Sequence, residues 1–276
     1  MRRRGFIEGS GWLGALSMLP GTPANAQTAS QTPPQARTTG KTFVLVHGAW
    51  HGAWTWERIA PHLRAAGHDV RALTLSGVGE RIGEISTRID LETHIGDVES
   101  FVRTQDLRGV VLVGHSYGGY PVTAAAERLG AEGRIDAVAY LDAFVPRHGE
   151  RMLDYLDADG RRQLESAHRA GNAHWPKLPA KFFGLSNQAD IDYVDAHLTD
   201  HPNGTYLQPI RLAHPPAGGI RRRIYIASQA PALTVLDSQK ERLRRDEGWH
   251  FAEIQAGHDA MVDQPEALAR LLLAAL

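Results

Sequence analysis

Apolar residues along the chain fall into short unbroken runs separated by stretches of helical periodicity. The runs at 41–46, 70–75, 110–113, 135–141, 222–228 and 249–254 are too short for core helices and read as strands, mostly buried. Between them, apolar positions recurring every three to four residues predict helices over 54–66, 91–104, 120–129, 237–245 and 265–275. Gly67-His68-Asp69 closes the first of these, and Pro265 opens the last as a first-turn residue. Strands alternating with helices predict an α/β fold with a mostly parallel, doubly wound sheet covered on both faces. Ligands of such a sheet collect at the carboxyl ends of its strands. The alternation fails over about 147–216. That stretch is rich in His, Pro, Trp and Phe (His174, Trp175, Pro176, Phe182, Phe183), with two helix-like pieces, and predicts an inserted cap.

Composition narrows the picture mainly by exclusion. The 276 residues suit one large domain, here 41–276 with its cap. Thirty Lys and Arg against 31 Asp and Glu give no basic surface for nucleic acid or an anionic membrane. Without cysteine, disulfides and thiolate chemistry are excluded. The 14 histidines form no H-E-x-x-H or other tight ligand spacing, so neither metal nor cofactor is expected. Ser76-Gly77-Val78-Gly79 falls short of a phosphate-binding glycine loop. No feature of the sequence specifies an oligomeric state.

The N-terminus reads as an address. Arg2-Arg3-Arg4-Gly5-Phe6-Ile7 resembles a twin-arginine signal, a mildly apolar stretch follows, and Ala24-Asn25-Ala26 is an A-x-A cleavage site. The apolar stretch is too short to span a bilayer, so no stable membrane insertion is expected. Residues 1–26 are thus read as an export signal, 27–40 as a disordered leader, and the protein as periplasmic or secreted. Removing Arg2, Arg3, Arg4 and Glu8 leaves a balance of 27 − 30 = −3. The competing reading is a wrongly assigned start codon.

The densest chemical signal follows the run at 110–113, where the chain enters Gly114-His115-Ser116-Tyr117-Gly118, a G-x-S-x-G, and then a helix. A sharp strand-to-helix turn leaves no room for Cβ atoms beside its central residue. It lifts the Ser116 hydroxyl clear of the sheet and sets the Tyr117 N–H at a helix N-terminus, ready for developing negative charge. After the first strand, the loop His47-Gly48-Ala49-Trp50-His51-Gly52-Ala53-Trp54 points backbone N–H groups at the same region, and the Ala49 N–H is assigned as the second oxyanion donor. His47 is assigned a structural role.

A serine hydroxyl needs a base, and the base an acid to fix its tautomer. His258, in the loop after the last strand, is the candidate base. The order serine, acid, histidine excludes His47 and His51 as base and Asp90 and Asp97 as acid. Two carboxylates remain. Asp142 directly follows the strand 135–141 and is favoured; Asp237, nine residues beyond the strand 222–228, is the alternative and also suits a helix N-cap. Asp259 is set aside because it adjoins the base itself.

Together, Phe43 to Trp54, Gly114-His115-Ser116-Tyr117-Gly118-Gly119 and Gly257-His258-Asp259-Ala260-Met261 resemble α/β-hydrolases, more narrowly the branch of plant methylesterases, hydroxynitrile lyases and bacterial esterases. Leu141-Asp142-Ala143-Phe144-Val145-Pro146 is similar to a segment of the bacterial members. The resemblance implies an α/β-hydrolase fold, Ser116 as nucleophile, His258 as base, and Ala49 and Tyr117 as oxyanion donors. It departs at Gln229-Ala230-Pro231, where plant relatives carry their acid. The lyases of this branch use a lysine after the histidine and a threonine in the first oxyanion loop; here those positions hold Asp259, whose charge would repel cyanide, and Gly48. Hydrolysis of small to medium, rather apolar esters through an acyl-enzyme is therefore expected. Carbon–carbon lyase chemistry and a non-catalytic ligand-binding member of the fold are the alternatives.

Overall fold

The computed structural model describes residues 40–213 and 219–276. The expected signal at 1–26 and nearly all of the leader lie outside the described residues. Six parallel strands form the central sheet: β1 (Thr42–Val46), β2 (Asp69–Leu73), β3 (Val110–His115), β4 (Ile135–Leu141), β7 (Arg222–Ser228) and β8 (His250–Ile254), in the order β2-β1-β3-β4-β7-β8. Every residue of β3 is buried, as expected of a strand covered on both faces. The flanking helices are α1 (Ala60–Ala65), α2 (Leu91–Thr104), α3 (Gly119–Ala131), α7 (Asp237–Arg244), α8 (Ala260–Asp263) and α9 (Pro265–Ala274). From β1 the chain moves out to the edge at β2, then returns to lay β3 on the other side of β1. The carboxyl ends of β1 and β3 therefore flank a switch point, where the diverging loops leave a crevice.

Between β4 and β7 the chain leaves the sheet. It forms α4 (Ala158–Arg169), α5 (Gln188–His197), the short α6 (Gly204–Leu207), and a two-stranded antiparallel pair, β5 (His174–Trp175) with β6 (His201–Pro202). The pattern showed two helical pieces here but not the small pair. Trp50, in the loop after β1, ties this excursion to the sheet. Its indole Nε1 donates to Trp175 O at 3.2 Å, and its carbonyl accepts from the Thr199 N–H at 3.0 Å.

Two elements differ from the pattern. The helix expected over 54–66 is a 3-10 turn, Ala53–Trp56, followed by α1. Pro61 explains the break: it has no N–H to give to the preceding turn, so a new helix starts around it. The strand expected over 70–75 ends at Leu73, because the Leu75 N–H goes to His47 Nε2 at 3.1 Å instead of to the ladder.

Candidate active site

At the switch point, β3 ends in a 3-10 turn, Ser116–Gly118, that runs straight into α3. Ser116 sits there at φ +51°, in the left-handed region that side chains avoid. The neighbouring backbone is as crowded as the glycines implied: a Cβ on Gly118 would lie 2.5 Å from His47 O. Crowding of the same kind fixes Gly48, where a Cβ would stand 2.9 Å from Ser116 Cβ. His47 takes the structural role expected of it. It is buried, donates from Nδ1 to Gly48 O at 2.7 Å, and accepts the Leu75 N–H at Nε2. Burial foremost lowers its pKa to about 3, so it stays neutral.

Ser116, His258, Ala49 and Tyr117, remote in sequence, line one cavity of about 340 Å³. The excursion between β4 and β7 contributes Met152, Tyr155, Trp175, Phe183 and Tyr206 to its walls, and the lining is largely apolar. His258 is 2 % exposed and its Nδ1 donates to Asp142 Oδ2 at 2.7 Å, which leaves Nε2 as the basic nitrogen.

Asp142 is fully buried. Its N–H continues the ladder to Ile226 O at 2.8 Å; its φ of +41° then turns the side chain out of the strand direction. Burial alone would raise its carboxyl, but the hydrogen bond from His258 and then the charge of Lys240 hold it below the ordinary carboxylate value. Lys240, itself 4 % exposed, reaches Asp142 Oδ1 at 2.7 Å, and the Ser228 N–H donates to the same oxygen at 3.2 Å.

Asp237, the alternative acid, is exposed on the first turn of α7. The N-cap there is Leu236, without a side-chain capping bond, so the capping role expected of Asp237 is corrected as well. Helix α7 does reach the site, but one turn further on and with a cation. Asp90 caps α2 by accepting the Thr93 N–H at 2.9 Å, and Asp97 accepts the Ser76 N–H at 2.7 Å; both are occupied elsewhere.

Asp259 requires a correction of the reason given for it. It does not line the cavity, so it does not confront a departing anion there. Its carboxylate is fully buried and accepts from His51 Nε2 at 3.1 Å, while His51 Nδ1 donates to Ala49 O at 2.7 Å. Acceptors facing both nitrogens favour the imidazolium form of His51. Burial opposes that, but the Asp259 charge raises its pKa, and Asp259 is lowered in turn. His115 donates from Nε2 to His258 O at 3.1 Å, and burial, then the charge of His258, hold it well below its ordinary value. Sequence reasoning missed Lys240, His51 and His115 as parts of the site. A lysine in a polar helix carries no signal of burial, and the two histidines read as ordinary loop and motif residues.

Known proteins resemble this chain along nearly all of the described part. A family model described as "Alpha/beta hydrolase family" matches residues 43–271. The "Carbendazim hydrolyzing esterase" of Nocardioides sp. (strain SG-4G) is 36 % identical over 244 residues, covering 84 % of this chain and 98 % of that protein. "Putative methylesterase 19" of Arabidopsis thaliana is 31 % identical over 253 residues, covering 84 % and 96 %. Among solved structures, an extracellular alpha/beta-hydrolase from a Paenibacillus species superposes with a TM-score of 0.71 at 22 % identity, covering 85 % of this chain and 98 % of its own; that likeness is one of fold.

Proposed function

Because this chain belongs to the alpha/beta hydrolase family and is a carboxylic-ester hydrolase, we propose that Ser116 is its nucleophile, His258 the general base and Asp142 the acid. The supporting observation is the buried 2.7 Å bond from His258 Nδ1 to Asp142, made beside a cavity that Ser116 shares. Ser116 Oγ, deprotonated by His258 Nε2, attacks the acyl carbon. The resulting oxyanion is held by the Ala49 and Tyr117 N–H groups. His258 then protonates the leaving alcohol, and water, activated by the same imidazole, releases the acid from the acyl-enzyme.

The apolar lining favours small to medium, rather apolar esters. Lyase chemistry is disfavoured by Gly48, which leaves no space beside Ser116 for the threonine of that branch. The described part of the cap expected at about 147–216, residues 147–213, is proposed to close the cavity, and 1–26 to be an export signal whose removal would expose Gln27 as the mature N-terminus.

The test pairs p-nitrophenyl ester turnover with an organophosphonate that labels Ser116 stoichiometrically; carbendazim belongs among the substrates tried. Failure of both turnover and labelling removes this reading, and mandelonitrile cleavage would favour the lyase. D142N should lower kcat by about 10⁴-fold, whereas D237N should leave it unchanged.

A further inference from the structure

In a triad, one carboxylate serves one imidazole. Here Asp142 serves two side chains: its Oδ2 faces His258 Nδ1, and its Oδ1 faces Lys240 Nζ at the same 2.7 Å. Lys240 has no solvent to return to. It is buried, and its second partner, Ser228 O at 3.3 Å, is the carbonyl of the residue whose N–H also holds Asp142 Oδ1. Lys240 and Ser228 thus fix one carboxylate oxygen from two elements, α7 and the end of β7, and this leaves the other aimed at the imidazole.

We propose that Lys240 is a positioning residue that aims Asp142 at His258 and sets the acid limb of the pH–rate profile. The inference rests on the serine-hydrolase reading above. A carboxylate shared with a lysine stabilises an imidazolium less than an unshared one. The lysine thus competes with the imidazole for one carboxylate, and its loss should carry the acid limb of the activity to higher pH. The other groups around the pair do not do this work. His51 and Asp259, from the loops after β1 and β8, neutralise each other. His115, at the end of β3, is neutral and binds the His258 carbonyl. Asp263, in α8, accepts the Gly257 N–H, and burial raises its carboxyl. Tyr225, in β7, is kept protonated by burial.

The experiment measures kcat and KM for a p-nitrophenyl ester across pH in wild type, K240M, K240Q and K240R. The neutral variants should move the acid limb of kcat/KM up by about one pH unit and lower kcat about 10-fold or more with KM nearly unchanged, while K240R keeps the wild-type limb. If K240M does not fold, K240Q carries the comparison, since its amide retains hydrogen-bonding capacity toward the carboxylate and the carbonyl. An acid limb that coincides with wild type in a folded neutral variant overturns the proposal, even if that variant melts earlier. A wild type that neither turns over the ester nor labels at Ser116 is a different failure, that of the functional reading itself.

Discussion

Ser116 and Asp142 both hold positive φ, at +51° and +41°, and each side chain pays for its orientation in backbone strain of about 1–3 kcal/mol. The strain is testable at Ser116. S116A and S116G should both be inactive, yet S116G should be more stable than S116A by about 1 kcal/mol in urea denaturation, because glycine alone adopts that φ freely. The His51–Asp259 pair makes a prediction about pH. His51, raised, contributes stability that is full below about pH 6.5 and is lost as pH rises through its folded value; Asp259, lowered, contributes above about pH 3.9 and loses it as pH falls through its own. H51Q leaves a buried carboxylate unpaired and should cost about 3 kcal/mol near pH 6. An H51Q/D259N double variant should lack the alkaline loss of stability. A wild-type melting temperature that does not fall relative to the double variant on the alkaline side would contradict the ion pair.

At the scale of elements, the site is assembled by strand ends. β3 delivers Ser116, β4 delivers Asp142, the loop after β1 supplies Ala49 and the loop after β8 supplies His258. Parallel strands end on one edge, which is why residues 116 positions apart, Asp142 and His258, bond directly. The turn after β3 tolerates no added methyl. G118A would drive a Cβ against the His47 carbonyl, and should destabilise by about 2 kcal/mol or more and cost activity, read by thermal melting and ester turnover. Trp50 couples the loop that carries Ala49 to the excursion between β4 and β7. W50F removes the indole bond to Trp175 while keeping an aromatic ring. It should raise KM more than it lowers kcat, with a stability loss of about 1 kcal/mol. The strand pattern made most of this edge legible, since β4 and β7 match their expected bounds. The missed elements are those whose pairing is short or set by a single proline, such as β5 with β6 and the break before α1.

For the whole molecule, a cavity of about 340 Å³ sits at the small end of the ligand-pocket range of about 300–1,000 Å³. Turnover of p-nitrophenyl esters should therefore peak at short to medium acyl chains and fall steeply for long ones. Phe182, lining the cavity while half exposed, is the residue whose replacement by alanine should relax that limit. The sequence by itself determined the layered fold, the serine turn and the histidine loop, because each is written in local periodicity or in a few contiguous residues. It left two carboxylates open and gave Asp259 the wrong surroundings. Only the tertiary structure brought Asp142, and not Asp237, against His258, buried Lys240 beside that carboxylate, and turned Asp259 away from the cavity toward His51. Those outcomes depend on which side chains meet across strands far apart in the chain, and on a positive φ at Asp142, neither of which has a signature in the order of residues.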